Sequence, residues 1–323
     1  MEMESSSKVQ EETDQKIDPD RSVKHDDAHD EPMKTEEKQN ATRASALDTI
    51  LKSLWKICVF RKELLSSFTE DEFVFELRHF ILSNLSLTEP NGVYDLLVTI
   101  LELLPRWETG YEPLQSKFEV YETLKKMCNR CKVDTEYPLQ LAYGPIVIAN
   151  SVREFKSAFE DLTFENVLKV IRTTLMMPCD KEGCGKRNYV ERVINTPLPS
   201  VFTIALEWEN NETEEEISAT TSVLATEIDI SEICKYEGDS VFTKYRLVSM
   251  VCLCGDQYNC ISYENGRWIR YFASKKEAIG DWNSVLTSFV KLKIRPEILF
   301  FENVKGQIMG TDEIGFGSLG KMF

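Results

Sequence analysis

Residues 245–272, YRLVSMVCLCGDQYNCISYENGRWIRYF, place the strongest limits on how this chain can fold. Residues 245–254 are apolar on both faces, a pattern typical of a strand buried between two layers. Gly255 and Asp256 predict a turn, and Asn265-Gly266 predicts a type I′ turn because both of its central residues need a positive φ. The strands that this pattern predicts are 245–254, 257–263 and 267–272. The chain therefore contains antiparallel β-structure with one deeply buried strand.

Charge and composition argue against several classes of partner. The 323-residue chain has a net charge of −16 and a pI of about 4.8, which disfavours nucleic acid and anionic membranes as main partners. The longest apolar run, residues 96–104, is too short to span a bilayer. The first residues lack the apolar core of a secretory signal. We therefore expect a cytoplasmic or nuclear protein that binds neither nucleic acid nor membrane.

Composition also predicts how the chain is divided. Residues 1–40 contain thirteen acidic and six basic side chains and almost no large apolar ones, which predicts a disordered acidic tail. Residues 41–302 have the periodic apolar pattern of a folded domain, and 303–323 are expected to form a C-terminal tail. Within the domain, a segment of about residues 113–191 contains two cysteine pairs.

Three helices are predicted in the first part of the domain. The first starts at Ala44 and has one apolar face. The second covers residues 71–82, with Thr69 and Glu72 spaced as a capping box. The third covers residues 94–104 and is expected to end at Pro105. The apolar face of the first helix contains Leu47, Ile50, Leu51, Leu54, Trp55 and Cys58.

Strands are predicted to dominate after Pro197. Residues 202–208 alternate between large apolar residues and smaller or polar ones, the period of a half-buried strand. Residues 294–301 predict a last strand, and 227–233 a short element between the two.

Four of the nine cysteines have the spacing of a metal site. Cys128 and Cys131 form a C-x2-C pair, and Cys179 and Cys184 form a C-x4-C pair. Two thiolates on one tight turn can reach the same ion, and two such turns complete a tetrahedral site. Four unrelated thiols or two local disulfides would also fit this spacing, although disulfides are rare in a reducing compartment. We expect one structural Zn²⁺ ion, with β-structure inserted between the two pairs.

Residues 245–272 also resemble the histidine box of the ubiquitin-specific proteases, papain-like cysteine peptidases that cut ubiquitin conjugates. That box has a buried strand, then Gly-His-Tyr or Gly-x-His-Tyr, a hairpin, a Trp, and an acidic residue four positions after the Trp. The matching residues here are Tyr258, Tyr263, Gly266 and Trp268. The resemblance covers about residues 44–302 and implies an α+β fold with a helical thumb, a β-sheet palm and zinc-binding fingers. It also implies ubiquitin, or a ubiquitinated protein, as the expected partner.

The same resemblance assigns three site positions to residues that cannot perform the chemistry of the family. The position of the histidine is occupied by Gln257, and that of the acidic residue by Phe272. The cysteine box of the family, N-x-C-[FY]-[LM]-N-x-x-[LV]-Q-S-L, places the nucleophile at Ser45 when it is aligned on residues 52–55, and Leu47 and Leu51 match it. We predict that Ser45, Gln257 and Phe272 converge in space without forming a working triad.

The histidines of the chain lie elsewhere. A thiol or hydroxyl nucleophile needs a base within hydrogen-bond reach. The three histidines are His25 and His29 in the acidic tail and His79 on the second predicted helix, and none follows His79. Residues 184–208 are most similar to the inactive ubiquitin carboxyl-terminal hydrolase-related proteins of plants. We therefore expect a degenerate member that binds ubiquitin or another protein, and the alternative is an active deubiquitinase with its nucleophile and base at other positions.

Overall fold

The structure, a computed structural model, describes residues 31–304 except for 66, 85–91, 108–112, 139, 160, 174, 195–196, 210–211 and 239–241. Residues 1–30 of the predicted acidic tail and 305–323 of the predicted C-terminal tail lie outside these ranges. The chain divides at Gln39 into two units, and the thumb, palm and fingers below belong to the unit that begins at Asn40. Within the described residues, no helix is long and apolar enough to cross a membrane.

The helices and strands of the described residues follow in chain order. The helices are α1 (Glu31–Lys56), α2 (Cys58–Leu64), α3 (Glu70–Asn84), α4 (Val93–Trp107), α5 (Ala149–Ala158), α6 (Phe164–Thr173), α7 (Glu214–Thr221), α8 (Ile230–Ile233) and α9 (Trp282–Lys291). The strands are β1 (Val120–Met127), β2 (Asp134–Glu136), β3 (Gln140–Ala142), β4 (Ile146–Ile148), β5 (Met176–Pro178), β6 (Arg187–Tyr189), β7 (Glu191–Ile194), β8 (Val201–Glu207), β9 (Glu227–Asp229), β10 (Lys235–Tyr236), β11 (Lys244–Cys254), β12 (Gln257–Glu264), β13 (Arg267–Phe272), β14 (Lys275–Gly280) and β15 (Ile294–Asn303).

Helix α1 begins earlier than the apolar pattern predicts. It starts at Glu31, so the last ten residues of the segment predicted as a disordered tail, 31–40, are helical. This segment is rich in Glu, Lys, Gln and Met, which are good helix formers without being apolar. A helix that is already fixed by its buried part can continue at the cost of one residue at a time, since only its first turn is expensive to form. The helix therefore starts before the first residue of the apolar pattern.

Helices α3 and α4 test two predicted helix ends. At α3, the Thr69 N–H donates to Glu72 Oε2 at 2.8 Å and the Glu72 N–H donates to Thr69 Oγ1 at 3.4 Å, which confirms the capping box. At α4, the predicted end at Pro105 is wrong, because the helix continues to Trp107. The Trp107 ring packs against Phe68 and Phe73, with ring centroids 5.5 and 6.1 Å apart, and this packing compensates for the one hydrogen bond that a proline removes.

The palm is an eight-stranded sheet with β11 and β15 near its centre. Its order is β14-β13-β12-β11-β15-β8-β4, and β9 pairs with β11. The predicted hairpin between β12 and β13 is confirmed, with positive φ angles of 50° at Asn265 and 79° at Gly266. One face, with Val251 and Ile298, packs against the thumb, which consists of α1 from Asn40 onward together with α2–α4. The other face, with Met250 and Leu299, packs against α5–α9.

Strand β8 is more deeply buried than its alternating sequence predicts. Six of its seven residues, from Val201 to Leu206, are buried. The strand lies between β15 and β4, and both sheet faces are covered by helices, so the smaller residues Thr203 and Ala205 are enclosed as well. Alternation therefore reflected side-chain size, not exposure to solvent.

The fingers are a five-stranded sheet, in the order β10-β7-β1-β2 with β3 paired to β1, together with the β5–β6 hairpin. The segment predicted as fingers, about residues 113–191, also contains a part of the palm. Strand β4 pairs in parallel with β8, and α6 places Phe164, Val167 and Leu168 in the core of the rear palm face. The amphipathic pattern of α6 explains this insertion, because an apolar helix face is buried best against a large sheet.

Candidate functional site

The four predicted metal ligands come together where two turns of the fingers meet. Their Sγ atoms all lie within 4.8 Å of one another. The shortest distances join the two turns, 3.7 Å between Cys128 and Cys184 and 3.4 Å between Cys131 and Cys179. A tetrahedral Zn²⁺ with Zn–S bonds of about 2.3 Å would hold its sulfurs about 3.8 Å apart. The arrangement is therefore compatible with a structural zinc site, whereas a disulfide would need an S–S distance of about 2 Å.

The backbone of the second turn is shaped for metal binding. Gly183 and Gly185 have φ angles of 75° and 61°, a region that favours glycine. The Cys179 N–H donates to the Lys186 carbonyl at 2.8 Å, which closes the loop around the two cysteines. The Lys181 N–H points at Cys179 Sγ from 3.4 Å, as expected for a donor that stabilises a thiolate.

The thiols of the cluster differ in how readily they lose a proton. The Cys131 N–H lowers the pKa of the Cys128 thiol to about 6. At Cys179 the Lys181 N–H lowers the pKa, but burial and the neighbouring thiols outweigh it and raise the pKa to about 12. Four sulfurs this close cannot all be deprotonated unless a positive charge lies between them, and Zn²⁺ supplies that charge when it is bound.

One residue that joins the two turns was missed by the sequence analysis. The Lys126 side chain is 1% exposed, and its Nζ contacts the Tyr137 hydroxyl, the Pro178 carbonyl and an Asp180 carboxylate oxygen, the last at 3.0 Å. Lys126 lies two residues before Cys128, and Asp180 follows Cys179. The ammonium group therefore holds the β1 side of the cluster to the β5 side. The only signal for this role in the sequence is a lysine within an otherwise largely buried strand.

The predicted nucleophile position, Ser45, lies against the start of β12. Its Oγ accepts a hydrogen bond from the Tyr258 N–H at 3.0 Å. One turn earlier in α1, the Thr42 hydroxyl donates to the Asp256 carbonyl at 3.3 Å. The structure therefore places Ser45 beside Gln257 and the turn that precedes it. Its role as the nucleophile position of the family stays a prediction.

The surroundings of Ser45 are those of a helix interior. Ser45 is the fifteenth residue of α1, which starts at Glu31. Inside a helix each backbone N–H is bonded to the carbonyl four residues earlier, so these groups are not available to another acceptor. The positive end of the helix dipole also lies several turns away from Ser45.

Gln257 and Phe272, the predicted base and acid positions, lie at the same end of the palm sheet. Gln257 is exposed and pairs with Cys254 across the β11–β12 ladder. The Cys260–Tyr271 pair sets the register of β13, so Phe272 lies beside Asn259, two residues along from Gln257. The Arg270 guanidinium lies 4.4 Å from the centre of the Phe272 ring, a cation–π contact.

Two other groups near this end have perturbed titration. The Tyr258 hydroxyl donates to Glu297 Oε2 at 3.0 Å, and burial raises the pKa of both side chains above their ordinary values. The Tyr258–Glu297 hydrogen bond links β12 to β15 close to Ser45. It holds the strand end in place and offers no exposed base.

The described histidine, His79, lies on the exposed side of α3. His25 and His29 lie outside the described residues. Burial raises the pKa of the half-buried Cys58 thiol. A raised thiol pKa lowers the thiolate fraction at neutral pH, so Cys58 is a poor nucleophile.

Comparison with known proteins agrees with this architecture. The family model described as ubiquitin carboxyl-terminal hydrolase matches residues 37–301. A human relative, ubiquitin carboxyl-terminal hydrolase 53, is 22% identical over 160 residues, which is 48% of this chain and 15% of that protein. A chain of the solved SAGA DUB module of Ubp8, Sgf11, Sus1 and Sgf73, bound to monoubiquitin, is similar with a TM-score of 0.53 and 13% identity, over 79% of this chain and 66% of that chain.

These matches confirm the predicted ubiquitin-specific protease fold, with its helical thumb, palm sheet and fingers. The similar region spans less than two thirds of the length of either relative. At 13% identity the solved structure is evidence for the fold alone.

Proposed function

The chain belongs to the ubiquitin carboxyl-terminal hydrolase family, and on that premise we propose that it is a non-catalytic member that binds ubiquitin or another protein. The observation that carries this proposal is the set of residues at the three family positions. Ser45, Gln257 and Phe272, which the resemblance assigns to a triad, lie at one end of the palm, but Gln257 and Phe272 cannot take up a proton near neutral pH.

The chemistry of a hydrolase would need a replacement for each missing part. A serine hydroxyl attacks a carbonyl only when a base removes its proton. The Gln257 amide can donate and accept hydrogen bonds but is not a base, and the Phe272 ring is covered by Arg270 instead of orienting an imidazole. When a catalytic unit is lost as a whole, turnover falls by roughly a millionfold.

The position of Ser45 inside α1 gives the proposal further support. Papain-like nucleophiles are activated at a helix N-terminus, where free N–H groups and the helix dipole stabilise negative charge. At Ser45 the N–H groups are used within the helix. An oxyanion formed here would therefore lack the backbone donors that usually provide a large share of transition-state stabilisation.

Ubiquitin is the proposed partner because the chain keeps the fold by which this family is defined. A similar fold is seen in the SAGA DUB module bound to monoubiquitin, and the fingers of this chain retain a cysteine cluster compatible with the zinc that would make them rigid. We expect the protein to act in the cytoplasm or nucleus. Binding without hydrolysis would shield or recruit a ubiquitinated protein.

Family membership favours a second candidate, an active deubiquitinase with an unusual nucleophile. Among the described thiols outside the metal cluster, Cys254 is the one directly opposite Gln257 in the β11–β12 ladder. Its Sγ lies 3.7 Å from an Arg270 nitrogen and 3.4 Å from the Leu292 carbonyl. Cys254 is therefore the thiol whose removal separates the two candidates.

The test combines a binding assay with an activity assay on the same preparation. Ubiquitin is titrated into the wild-type chain in a calorimeter, and the chain is then incubated with a fluorogenic ubiquitin substrate and with a ubiquitin-based thiol probe. The proposal predicts saturable binding, no turnover and no probe labelling. Turnover that disappears in Cys254→Ala would establish the deubiquitinase instead, whereas the absence of both binding and turnover would remove ubiquitin as the partner.

A further inference from the structure

A pocket of about 650 Å³ lies where the fingers sheet meets α6 and α8. Its walls come from the last turns of α6, from β7 and the two residues before it, and from α8 with the start of β10. We call it the junction pocket, and its charged and aromatic walls include Lys169, Arg172, Tyr189, Arg192 and Lys235. None of these elements contains one of the three family positions. The junction pocket is therefore separate from the Ser45 end of the palm, and what it binds does not depend on the proposed function.

Two arginines of the pocket wall share a single carboxylate. The Arg172 side chain is 6% exposed, and its Nη2 donates to Glu122 Oε1. The Arg192 Nη1 donates to the other oxygen of the same carboxylate, Glu122 Oε2, at 3.3 Å. Glu122 lies on β1 and is buried, so no second carboxylate of its own side chain can compensate. One positive charge is therefore left over where the two guanidinium groups meet.

The guanidinium groups also have donors that Glu122 does not use. Each guanidinium carries five N–H groups in a fixed plane. Among the described residues, the Arg172 side chain bonds to Glu122 alone, and its buried Nε has no hydrogen-bond partner. The Nε atom is enclosed by protein, so an acceptor that enters the pocket would bond to the terminal nitrogens. A buried donor without an acceptor is costly to stability, which favours an occupant that supplies one.

The other charges of the pocket wall nearly balance one another. The Lys235 Nζ lies 3.2 Å from a carboxylate oxygen of Glu191 and 3.2 Å from one of Glu237, so its charge is compensated. Lys169 and Glu232 are both exposed, and Lys169 makes no ion pair within the described part of the chain. The excess positive charge thus lies on the two arginines, at the inner wall, in a chain whose net charge is −16.

An anion with several acceptor oxygens fits this wall best. We infer that the junction pocket binds a phosphate monoester group. Such a group carries nearly two negative charges at neutral pH and has three strong acceptor oxygens, which match unused donors on two guanidinium groups. A carboxylate offers one charge and two oxygens, and Glu122 already supplies that. The Tyr189 side chain is 67% exposed on the same wall, so its ring is available to the organic part of the ester.

The first test identifies the ligand chemistry by calorimetry on the full chain. The probes are two short neutral peptides, one with phosphoserine and one with phosphotyrosine, together with adenosine monophosphate and acetate. We expect at least one phosphate ester to bind about tenfold more tightly than acetate, because it offers a second charge and a third acceptor. Tighter binding of a phosphopeptide would assign the pocket to a phosphorylated protein, and tighter binding of the nucleotide to a free metabolite. Acetate binding as tight as that of every ester, or no saturable binding of any ester, would overturn the inference.

The second test places the binding in the junction pocket. Arg192→Gln leaves the Arg172–Glu122 contact intact and should weaken binding of the tightest ester about tenfold. Arg192→Lys keeps the charge but loses the planar fork, so its affinity should fall between those of Arg192→Gln and the wild type. The control is Lys291→Gln, which removes an equal charge from the last turn of α9, outside the pocket, and should bind as the wild type does. Unchanged binding in Arg192→Gln, or an equal loss in Lys291→Gln, would contradict the assignment of the pocket.

Discussion

The cysteine cluster of the fingers and the Ser45–Gln257 end of the palm differ in the chemical groups that they contain. In the fingers, both the fold and the chemical groups are present, since four thiols lie within 4.8 Å of one another. In the palm, the hairpin and its position beside α1 are present, as the bond from the Tyr258 N–H to Ser45 demonstrates. At the positions predicted for the base and the acid, Gln257 and Phe272 supply an amide and a phenyl ring.

The contrast follows from what each site contributes. A metal ion held by the four cysteines would stabilise the fingers themselves, because a small sheet of short strands has little core of its own. The catalytic groups of a hydrolase contribute little to folding, and active-site residues are often costly to stability. A chain selected only to fold and bind can therefore lose a triad while it keeps a zinc site.

The largest effect is expected when one of the four clustered cysteines of the fingers is replaced. Cys128→Ser should abolish stoichiometric zinc binding and speed up amide hydrogen exchange in β1, β5 and β6, because three remaining ligands leave the tetrahedral site incomplete. The palm strands β11 and β15 should exchange as in the wild type. Zinc analysis and exchange measured by mass spectrometry test this, with Cys234→Ser, a half-buried thiol outside the cluster, as the control. Wild-type zinc content in Cys128→Ser would refute the metal site.

A smaller effect is expected from the lysine that joins the two turns. Lys126→Met removes the donor that reaches Tyr137, Pro178 and Asp180, and should cost about 2 kcal/mol of stability in the fingers. Zinc affinity should fall with it, because the ligands remain but are less well positioned. Urea titration and competition with a chelator measure the two quantities. The control is Lys125→Met on the same strand, and an equal loss in both variants would mean that Lys126 has no special role.

We expect the stability of the palm to depend on pH through one buried carboxyl group. Burial raises the pKa of Glu297, so the folded chain keeps a proton on this carboxyl that the unfolded chain has released. The stability due to that proton is present below the ordinary pKa of 4.5 and is lost as the pH rises through the higher folded value. Glu297→Gln stays neutral, so its urea midpoint should rise relative to wild type between pH 4 and pH 8. A parallel shift in the exposed control Glu154→Gln, or no rise, would argue against a buried carboxyl.

The smallest effect is expected from rebuilding the triad. The triple variant Ser45→Cys, Gln257→His and Phe272→Asp should show turnover of a fluorogenic ubiquitin substrate no higher than the wild-type background. The thiol would still lie inside α1, without free N–H groups for an oxyanion. Measurable turnover in the triple variant would indicate that the two regions differ in side chains alone.

Much of the palm and part of the thumb could be predicted from the sequence because the sequence signals for them are local. The Asn265-Gly266 turn, the buried strand before it and the capping box at Thr69 each rest on a few adjacent residues. The cysteine cluster was also predictable, since the spacing of its pairs reflects the reach of two turns. Each of these features depends on backbone geometry that only certain residues permit.

Features that depend on contacts between distant segments were missed. The role of Lys126 requires Asp180, which is 54 residues away, and the continuation of α4 past Pro105 depends on packing of Trp107. The pocket whose walls include Tyr263, Trp268 and Trp282 joins β12 and β13 to α9, and no single stretch contains it. The spacing of apolar residues indicates which face of one helix or strand is buried. It does not indicate which other element covers that face.

We propose that this chain binds ubiquitin and does not cleave it. The most direct measurement is an NMR titration of the wild-type chain into ¹⁵N-labelled ubiquitin that carries a short peptide on its C-terminal glycine. We expect saturable shifts of the ubiquitin resonances, and we expect the signals of the intact C-terminal junction to persist throughout a long incubation. Appearance of the signals of free ubiquitin, or a spectrum unchanged at saturating protein, would contradict it.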